Sequence, residues 1–469
     1  MNFGGERDQL TICAVSTPPG YGGISVIRVS GPHSEKIVRA LFPKLPKKLE
    51  SHRAYYGLLK DPSSGQDLDQ ALCLYLAEGR SFTGEATFEI SCHGNPLVCD
   101  RILKALLQQG AATALPGEFT YRAFMNNRLD LIQAESVLSL IESRSQKAAE
   151  LSLRQLEGYL SQKIEGIEQD LTWCLAHIEA NIDFSTEGLE VSSTPELVQK
   201  LSSCAARIQE LLDSYQQGKM IQDGIRIALV GQPNAGKSSL LNLLLRYDRA
   251  IVDETPGTTR DIVDAETSYQ GLRFVFQDTA GLREHTKDPI EAIGIQRSRK
   301  AAESSDMVLF VFDSSRGWTA EDQRWLEVVK DKPLLLLANK SDKLSSETAR
   351  ENVMKNVQST VGGLASNVLF LSALDRVSRD PVLERVYRSF VSSEKAENEI
   401  SLSQARHFEN LLKTERCLAQ GIQALKSGMG AEFVSLELKE GLVSLQQILG
   451  RYFDDQIMDR VFKEFCIGK

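Results

Sequence analysis

A glycine-rich segment at residues 231–238, with the sequence Gly-Gln-Pro-Asn-Ala-Gly-Lys-Ser, restricts the fold of this chain more than any other feature. It follows the apolar run 225–230, which predicts a strand, and precedes leucines at helical spacing over 240–245. In that context the loop amides and the helix N-terminus bind phosphate oxygens, Lys237 bridges the outer phosphates, and Ser238 offers a hydroxyl to Mg²⁺. The segment predicts a phosphate-binding α/β domain; the alternative is a glycine turn before a core helix.

Later segments supply the remaining parts of a guanine nucleotide site in the expected order. Residues 278–281 (Asp-Thr-Ala-Gly) are placed to hold the Mg²⁺ shell and sense the γ-phosphate, and the loop 253–259 to cover the phosphates. The Asp342 carboxylate would accept both hydrogens of the guanine N1 and amine, a pair that adenine lacks. The predicted GTP-binding residues are Asn234, Ala235, Gly236, Lys237, Ser238, Ser239, Asp253, Glu254, Thr255, Pro256, Gly257, Thr258, Thr259, Asp278, Thr279, Ala280, Gly281, Asn339, Lys340, Asp342, Ser372 and Ala373, the last two closing the base pocket with a backbone N–H.

The hydrolytic step needs a group that orients water, and the usual one is missing. Leu282 follows the 278–281 motif where Ras-like proteins have glutamine, and an apolar side chain cannot orient water. The acidic residues Glu284, Asp288 and Glu291 are the candidates to replace it. A monovalent cation could neutralise the charge that develops between the phosphates, and the Asn234 side-chain carbonyl suits a hard cation.

Composition narrows the class of protein. The net charge of −9 argues against a generally cationic nucleic-acid coat, so any RNA contact is local or shared with a partner. The 8 cysteines show no zinc or redox spacing, which predicts reduced thiols in a cytoplasmic protein. The sequence contains neither a secretion signal nor an apolar run of the roughly 18 residues that a membrane span requires.

Hydrophobic patterning predicts four segments: an α+β domain at 1–125, helices at 126–218, the nucleotide domain at 219–390 and further helices at 391–469. In the first segment we expect strands at 24–29, 72–76 and 87–90 and helices at 33–42 and 96–109. In the second, apolar residues from Leu153 to Ile182 predict one long helix, and another runs from Pro195 to near Gly218. Helices on both sides of the nucleotide domain would bury their apolar faces together.

The chain resembles the MnmE (TrmE) family of tRNA modification GTPases, within the TrmE-Era-EngA-like superfamily, over essentially its full length. Besides the nucleotide motifs, the resemblance lies in 17–23 (Thr-Pro-Pro-Gly-Tyr-Gly-Gly), 81–85 (Ser-Phe-Thr-Gly-Glu), 116–120 (Pro-Gly-Glu-Phe-Thr), 129–135 (Leu-Asp-Leu-Ile-Gln-Ala-Glu) and 466–469 (Cys-Ile-Gly-Lys). It implies an N-terminal tetrahydrofolate-binding and dimerisation domain, a discontinuous helical domain and an inserted Ras-like P-loop GTPase domain.

The family's activity, carried over by motif, gives further expectations. The resemblance implies a homodimeric GTPase whose hydrolysis is activated by potassium and by dimerisation of the GTPase domain. It implies that this GTPase works with the flavoprotein MnmG to add an aminomethyl-type group at carbon 5 of the tRNA wobble uridine. It implies folate contacts at Arg28, Glu85, Arg128 and Lys469 for a formyl-tetrahydrofolate, and a role for Cys466. It implies Mg²⁺ at Ser238 and Thr259, and K⁺ at Asn234, Asp253, Thr255 and Thr258. It implies two catalytic residues, Glu291 as the acid that orients water and Lys237.

The chain departs from the family pattern at a few positions. Arg128 stands where the family usually has lysine, and Asn95 replaces a usual glycine. The segment 285–289 differs in length from the family, so Glu291 is aligned with the family's catalytic acid through the Ile-Gly-Ile sequence at 293–295 that follows it. Two other functions stay open: a ribosome-assembly GTPase of the Era or EngA type, which would carry an RNA-binding module or a second phosphate loop, and a GTP-binding protein that does not hydrolyse.

Overall fold

The computed structural model describes residues 5–183, 193–245, 265–277, 299–391, 401–452, 458 and 461–468. The chain divides into two compact units. Unit 1 comprises residues 1–141, 152–210 and 406–469, and unit 2 comprises residues 142–151 and 211–405. The predicted loop 253–259, the motif 278–281, Glu291 and Lys469 lie outside the described residues.

Unit 1 contains a six-stranded sheet with the strand order β3-β4-β5-β2-β1-β6. Only the β1–β6 pair is parallel among the pairs of this sheet in the described residues. The strands are β1 Ile12–Val15, β2 Gly22–Ser30, β3 Arg53–Lys60, β4 Asp67–Leu76, β5 Thr87–Gly94 and β6 Ala112–Thr113, and the helices beside them are α1 Ser34–Leu41, α2 Pro96–Gln108 and α3 Glu118–Met125. The expected α+β architecture, with its strands and helices, is confirmed.

Alternation along β2 shows why this sheet forms. Ile27 and Val29 are buried in the core under α1 and α2, whereas Arg28 between them projects from the opposite face. At the end of β5 the chain turns into α2, where the Asn95 side chain accepts a hydrogen bond from the Leu97 N–H at 2.9 Å. Asn95 therefore serves as an N-cap, which glycine at this position could not do with a side chain.

The remaining helices range from 9 to 30 residues. They are α4 Leu131–Glu142, α5 Gln146–Leu156, α6 Tyr159–Asp183, α7 Thr194–Asp223, α8 Lys237–Leu245, α9 Ala320–Val329, α10 Glu347–Val361, α11 Arg379–Phe390, α12 Ala405–Ser427 and α13 Ala431–Leu449. None of the helices in the described ranges combines the length and the apolar character that crossing a membrane requires. In unit 1 the buried stripe of α6, including Ile164 and Leu171, packs against α13. Helices before and after the nucleotide segment thus bury their faces together, as expected.

Two helix boundaries differ from the sequence prediction. The stripe from Leu153 to Ile182 is not one helix, because Gly158 adopts a left-handed conformation with φ 87° between α5 and α6. The second helix does not end near Gly218 but continues to Asp223. Gly218 instead permits close packing, since a Cβ atom there would lie 2.0 Å from the Leu402 carbonyl oxygen.

Unit 2 contains the second six-stranded sheet, in the order β12-β11-β10-β7-β9-β8. Its strands are β7 Ile225–Val230, β8 Ala265–Tyr269, β9 Leu272–Gln277, β10 Met307–Asp313, β11 Leu334–Asn339 and β12 Val368–Phe370. Among the strand pairs that the described residues form in this sheet, all are parallel except β8–β9. Continuous apolar runs such as Val308–Phe312 are buried on both faces, as is typical of a parallel sheet covered by helices. The carboxyl ends of β7, β10 and β11 consequently lie side by side.

A largely buried ion cluster in unit 1 joins α4 to the start of α12. The Arg406 Nε and Nη2 atoms donate to the two Glu135 carboxylate oxygens at 2.8 and 2.9 Å, and His407 Nε2 lies 2.7 Å from the same carboxylate. Burial by itself would raise the pKa of Glu135, but the charges of Arg406 and His407 and their hydrogen bonds outweigh it and lower the pKa to about 2. Glu135, from the 129–135 motif, thus fastens two distant stretches of the chain.

We expect Glu135→Gln to lower the free energy of unfolding by about 3 kcal/mol at neutral pH, the lower end of the range for a buried pair, because the half-buried Arg406 guanidinium would lose its counter-charge. A carboxylate with a lowered pKa stabilises the fold fully above its unfolded pKa of about 4.3, and this contribution disappears as the pH falls toward 2. The difference from wild type should therefore shrink below about pH 4.5. Urea unfolding measures both effects, and Glu179→Gln, which breaks the exposed pair with Lys439, is the control. Equal destabilisation by both variants would contradict the prediction.

Candidate functional site

The glycine-rich loop in unit 2 connects the end of β7 to the start of α8. Gly231 and Gly236 have φ values of 146° and 98°, and Asn234 lies in the left-handed region at 67°. A Cβ atom would lie 2.0 Å from the Val311 carbonyl oxygen at Gly231 and 2.1 Å from Asn339 Nδ2 at Gly236. Only glycine fits both places, and the resulting turn with the N-terminus of α8 forms an anion-binding cradle.

Lys237 is the first residue of α8, and its ammonium group lies against the loop itself. The Nζ atom donates to the carbonyl oxygens of Gly231 at 2.7 Å and Gln232 at 2.8 Å. Burial lowers the pKa of Lys237 to about 8, because removal from water disfavours the charged form. A phosphate brought to this position would favour the charged form. Ser238 and Ser239 follow in the first turn of α8 and are exposed.

Asn339 ties the loop to the segment after β12. Its Nδ2 atom donates to the Ala235 carbonyl at 2.8 Å, and its Oδ1 atom accepts from the Ala373 N–H at 2.9 Å. The structure therefore brings the loop, the 339–342 segment and the 372–373 segment together. The Ser372 N–H donates to the Ser378 hydroxyl at 3.2 Å. The backbone N–H groups of Ser372 and Ala373, one of which is predicted to close the base pocket, therefore both have partners within unit 2.

Lys340 and Asp342 complete this side of the site. Lys340 adopts a left-handed conformation, with φ 62°, and its Nζ atom donates to the Asn234 carbonyl at 2.8 Å and to the Asp313 carboxylate at 2.7 Å. Asp342 follows in the short helical turn Ser341–Lys343 and is exposed. Its carboxylate is thus available at the edge of the predicted base pocket.

Sequence reasoning missed Asp313. It is the last residue of β10 and stands opposite Asn339 in the parallel register of β10 and β11. The signal was present, because a polar residue at the end of an apolar run marks the carboxyl edge of a parallel sheet, where ligands bind. Asp313 holds the Lys340 side chain against the loop.

The second group of predicted residues lies in unit 1, around the end of β2. The Glu85 carboxylate accepts from the Ser30 hydroxyl at 2.7 Å and from Arg122 at 3.0 and 3.1 Å. Arg128 is exposed, and its Cγ atom would lie 3.4 Å from a Cβ atom at Gly84, so its stem runs beside the residue that precedes Glu85.

Arg28 is adjacent to this group. It pairs with Glu89 at 2.8 Å, and its guanidinium carbon lies 5.8 Å from the ring centre of Phe82 and 5.4 Å from that of Phe119. Phe82 belongs to the same 81–85 segment as Glu85. The structure describes three of the four residues expected to contact folate, and all three lie at the 81–85 segment. Glu85 belongs to it, Arg28 lies beside Phe82, and Arg128 lies beside Gly84.

The segment Cys466–Gly468, called the tail here, lies against the N-terminal sheet domain, as expected. Ile467 forms an antiparallel bridge with Pro116, and the Cys466 carbonyl accepts from the Gly117 N–H at 3.4 Å. Gly468 has φ 95°, and a Cβ atom there would lie 2.3 Å from the Val15 carbonyl oxygen. The Cys466 thiol is exposed, whereas the other cysteines are buried.

The glycine loop follows β7 and the Asn-Lys-Ser-Asp segment begins at the end of β11, two parallel strands that flank β10. Together they define a P-loop nucleotide-binding protein of the GTPase type. Comparison with known proteins adds the family. The model of the MnmE helical domain matches residues 131–466, and the model of the GTP-binding protein TrmE N-terminus matches residues 11–128.

Curated relatives match along the whole chain. A tRNA modification GTPase MnmE of Bdellovibrio bacteriovorus is 50% identical over 99% of this chain and 99% of its own length. The proteins of the same name from Natranaerobius thermophilus and Lactiplantibacillus plantarum are 38% and 37% identical, each over 98% of this chain and over 99% and 98% of their own lengths. This chain belongs to the MnmE family of tRNA modification GTPases.

Proposed function

We propose that the chain hydrolyses GTP as a subunit of the enzyme that modifies the wobble uridine of tRNA. In this proposal it acts in the cytoplasm with the flavoprotein MnmG to add an aminomethyl or carboxymethylaminomethyl group at carbon 5. One observation carries the proposal: the likeness to the Bdellovibrio bacteriovorus relative extends over 99% of both chains. It therefore includes the nucleotide site, the helices and the group formed by Arg28, Glu85 and Arg128, called the N-terminal cluster here. The division at 1–125, 126–218, 219–390 and 391–469 is part of the proposal.

The decisive experiment is mass analysis of wobble nucleosides in a strain that lacks this gene and carries a plasmid copy. Wild type should restore the modified uridine. A Lys237→Ala variant should not, because the phosphate-bridging charge is lost. Full modification in the deletion strain without the plasmid would show that the chain has another function, with ribosome assembly the next to be tested by subunit profiles.

We assign Mg²⁺ to Ser238 and Thr259, and K⁺ to Asn234, Asp253, Thr255 and Thr258. The described members fit these roles: Ser238 presents a hydroxyl in the first turn after the loop, and Asn234 is exposed within it with an amide oxygen suited to a hard cation. The bound ions would supply the positive charge that stabilises the leaving phosphate. The chain's own contribution is to hold the phosphates with loop amides and Lys237.

The potassium assignment predicts faster GTP hydrolysis in KCl than in NaCl at equal ionic strength, with the difference lost in Asn234→Ala. The cation would replace the charge that an arginine finger otherwise brings to the transition state. Steady-state phosphate release in the two salts measures it, and Asn356→Ala, on the exposed face of α10, is the matched control. Equal rates of the wild type in both salts would remove the idea.

The catalytic acid predicts a second kinetic effect. Glu291→Ala should lower the rate of GTP hydrolysis by about 10² to 10⁴ if the carboxylate orients or deprotonates the attacking water, while GTP binding stays intact. Single-turnover hydrolysis together with nucleotide affinity separates the two effects. If Glu291→Ala turns over normally, Glu284 and Asp288 become the candidates.

A formyl-tetrahydrofolate is the proposed ligand of the N-terminal cluster. Glu85 would accept hydrogen bonds from the donors of the pterin ring, and Arg28, Arg128 and Lys469 would contact polar ends of the folate. The cluster suits such a ligand, because the Glu85 side chain retains 17% of its exposure and Arg28 lies beside the aromatic rings of Phe82 and Phe119. The ligand would supply the one-carbon unit.

Homodimerisation is proposed through the N-terminal sheet. Tyr56 and Leu72 pair across β3 and β4 on the face opposite the core, and they are 69% and 47% exposed. We infer that this exposed apolar pair belongs to the interface, since contiguous apolar surface is commonly used for association, and a second copy of the chain would cover it in a self-complementary way.

A further inference from the structure

Arg122, on α3, is a buried arginine between two carboxylates. Its side chain is 3% exposed and that of Glu118, one helical turn earlier, is 2% exposed. Arg122 Nη2 donates to Glu118 Oε1 at 3.1 Å, and Nη1 donates to both oxygens of Glu85 at 3.0 and 3.1 Å. Arg122 thus links α3 to the 81–85 segment, which is distant in sequence.

The surrounding charges balance. Arg7 pairs with Glu118 through its Nε atom at 3.1 Å and its Nη2 atom at 2.7 Å, so two arginines face two carboxylates. Arg122 also donates to the backbone carbonyls of Leu10 at 2.8 Å and Arg7 at 3.3 Å. Glu118 therefore has two cationic partners, Arg7 and Arg122. Glu85 has one among the described residues, which is Arg122.

These contacts fix the orientation of the Glu85 carboxylate. One oxygen accepts only from Arg122 among the described contacts, and the other accepts from Arg122 and from the Ser30 hydroxyl at 2.7 Å. A carboxylate has about four acceptor positions, so capacity for a ligand donor remains. A planar guanidinium holds several acceptors at once in a fixed geometry, which a lysine ammonium at the same place cannot do.

We propose that Arg122 is a positioning residue that orients Glu85 to accept hydrogen bonds from the amino-pyrimidine edge of the folate. This inference rests on the proposed folate site and goes beyond it by assigning ligand selectivity to a residue that does not contact the ligand. Pre-organisation of this kind raises affinity because the carboxylate is not reoriented on binding.

The experiment is calorimetric titration of the full chain with 5-formyl-tetrahydrofolate. Arg122→Lys should weaken binding by about 10- to 100-fold, since a charge-assisted contact to Glu85 is lost or displaced. Arg7→Gln is the matched control, because it removes a cation from the same cluster without a contact to Glu85, and affinity should stay within about twofold. The double variant Arg122→Lys/Glu85→Gln should bind like Glu85→Gln alone, because Arg122 acts through Glu85.

A second measurement covers the case in which Arg122→Lys folds incompletely. The ratio of affinities for formyl-tetrahydrofolate and for an analogue without the 2-amino group does not depend on the folded fraction. The ratio should fall in Arg122→Lys and stay unchanged in Arg7→Gln. An unchanged ratio in Arg122→Lys, an effect additive with Glu85→Gln, or equal weakening by Arg7→Gln would overturn the positioning role while the folate site stands. Absence of binding to folded wild type would overturn the folate site and this inference with it.

Discussion

Asp342→Asn is expected to move the preference of this chain from GTP toward xanthosine triphosphate by about 10⁴ to 10⁵, the discrimination reached when a site's own hydrogen-bonding groups select the substrate. The aspartate carboxylate accepts from the guanine N1–H and 2-amino groups. Xanthine carries an oxygen at carbon 2, and an asparagine amide can donate to that oxygen while still accepting from N1–H.

The structure supports this expectation through the frame that holds Asp342. The Asn339 side chain is hydrogen-bonded to the backbone of Ala235 and Ala373. The Lys340 side chain is hydrogen-bonded to the Asn234 carbonyl and to the Asp313 carboxylate. The turn that carries Asp342 follows directly, and the Ser341 N–H donates to the Leu371 carbonyl at 3.1 Å. The substitution therefore replaces one side-chain oxygen by an NH2 group, on a turn whose backbone has independent support.

The change in preference is measured by the concentrations of GTP and of xanthosine triphosphate that displace a fluorescent nucleoside diphosphate from the protein. Asp331→Asn, at an exposed aspartate before β11, makes the same chemical change away from the site and should leave both affinities unaltered. If Asp342→Asn binds GTP as wild type does, the assignment of the base site is wrong.

The nucleotide fold could be predicted from the sequence because its signals are local. The strands at 225–230 and 334–339 are short apolar runs, and the glycines of 231–238 have positive φ where the loop requires it. The position of a helix end was less predictable. Gly158 follows the end of a helix, and its backbone turns left-handed there. Gly218 lies within a helix, at a place where the Leu402 carbonyl leaves no room for a Cβ atom. The same residue type has opposite meanings, and only tertiary contacts distinguish them.

The N-terminal cluster shows what sequence reasoning could not reach. Glu85 was predicted from its motif, but its partner Arg122 lies 37 residues away and Arg7 lies 111 residues from Glu118. Pairing at that separation leaves no periodicity to read. The 116–120 motif contained Glu118, and the spacing of four to Arg122 on one helix was the available signal.

The largest expected effect on tRNA modification comes from the tail. We expect Cys466→Ser to abolish wobble modification while GTP hydrolysis continues, because serine keeps the shape and the backbone contacts of the tail and removes only the thiol. The Cys466 carbonyl bonds to Gly117 and its thiol is exposed, so the backbone docks the residue while the sulfur stays accessible. Reconstituted modification of tRNA with MnmG, scored by nucleoside mass analysis, measures the loss.

A companion variant separates the thiol from its placement. Gly468→Ala keeps Cys466 but puts a Cβ atom 2.3 Å from the Val15 carbonyl oxygen at a φ of 95°, so the tail must leave its position beside β1. If the thiol acts where the tail docks, Gly468→Ala should also lose modification and retain hydrolysis. Loss in Gly468→Ala with full modification by Cys466→Ser would mean that the docked backbone matters and the sulfur does not, which would reduce Cys466 to a structural residue.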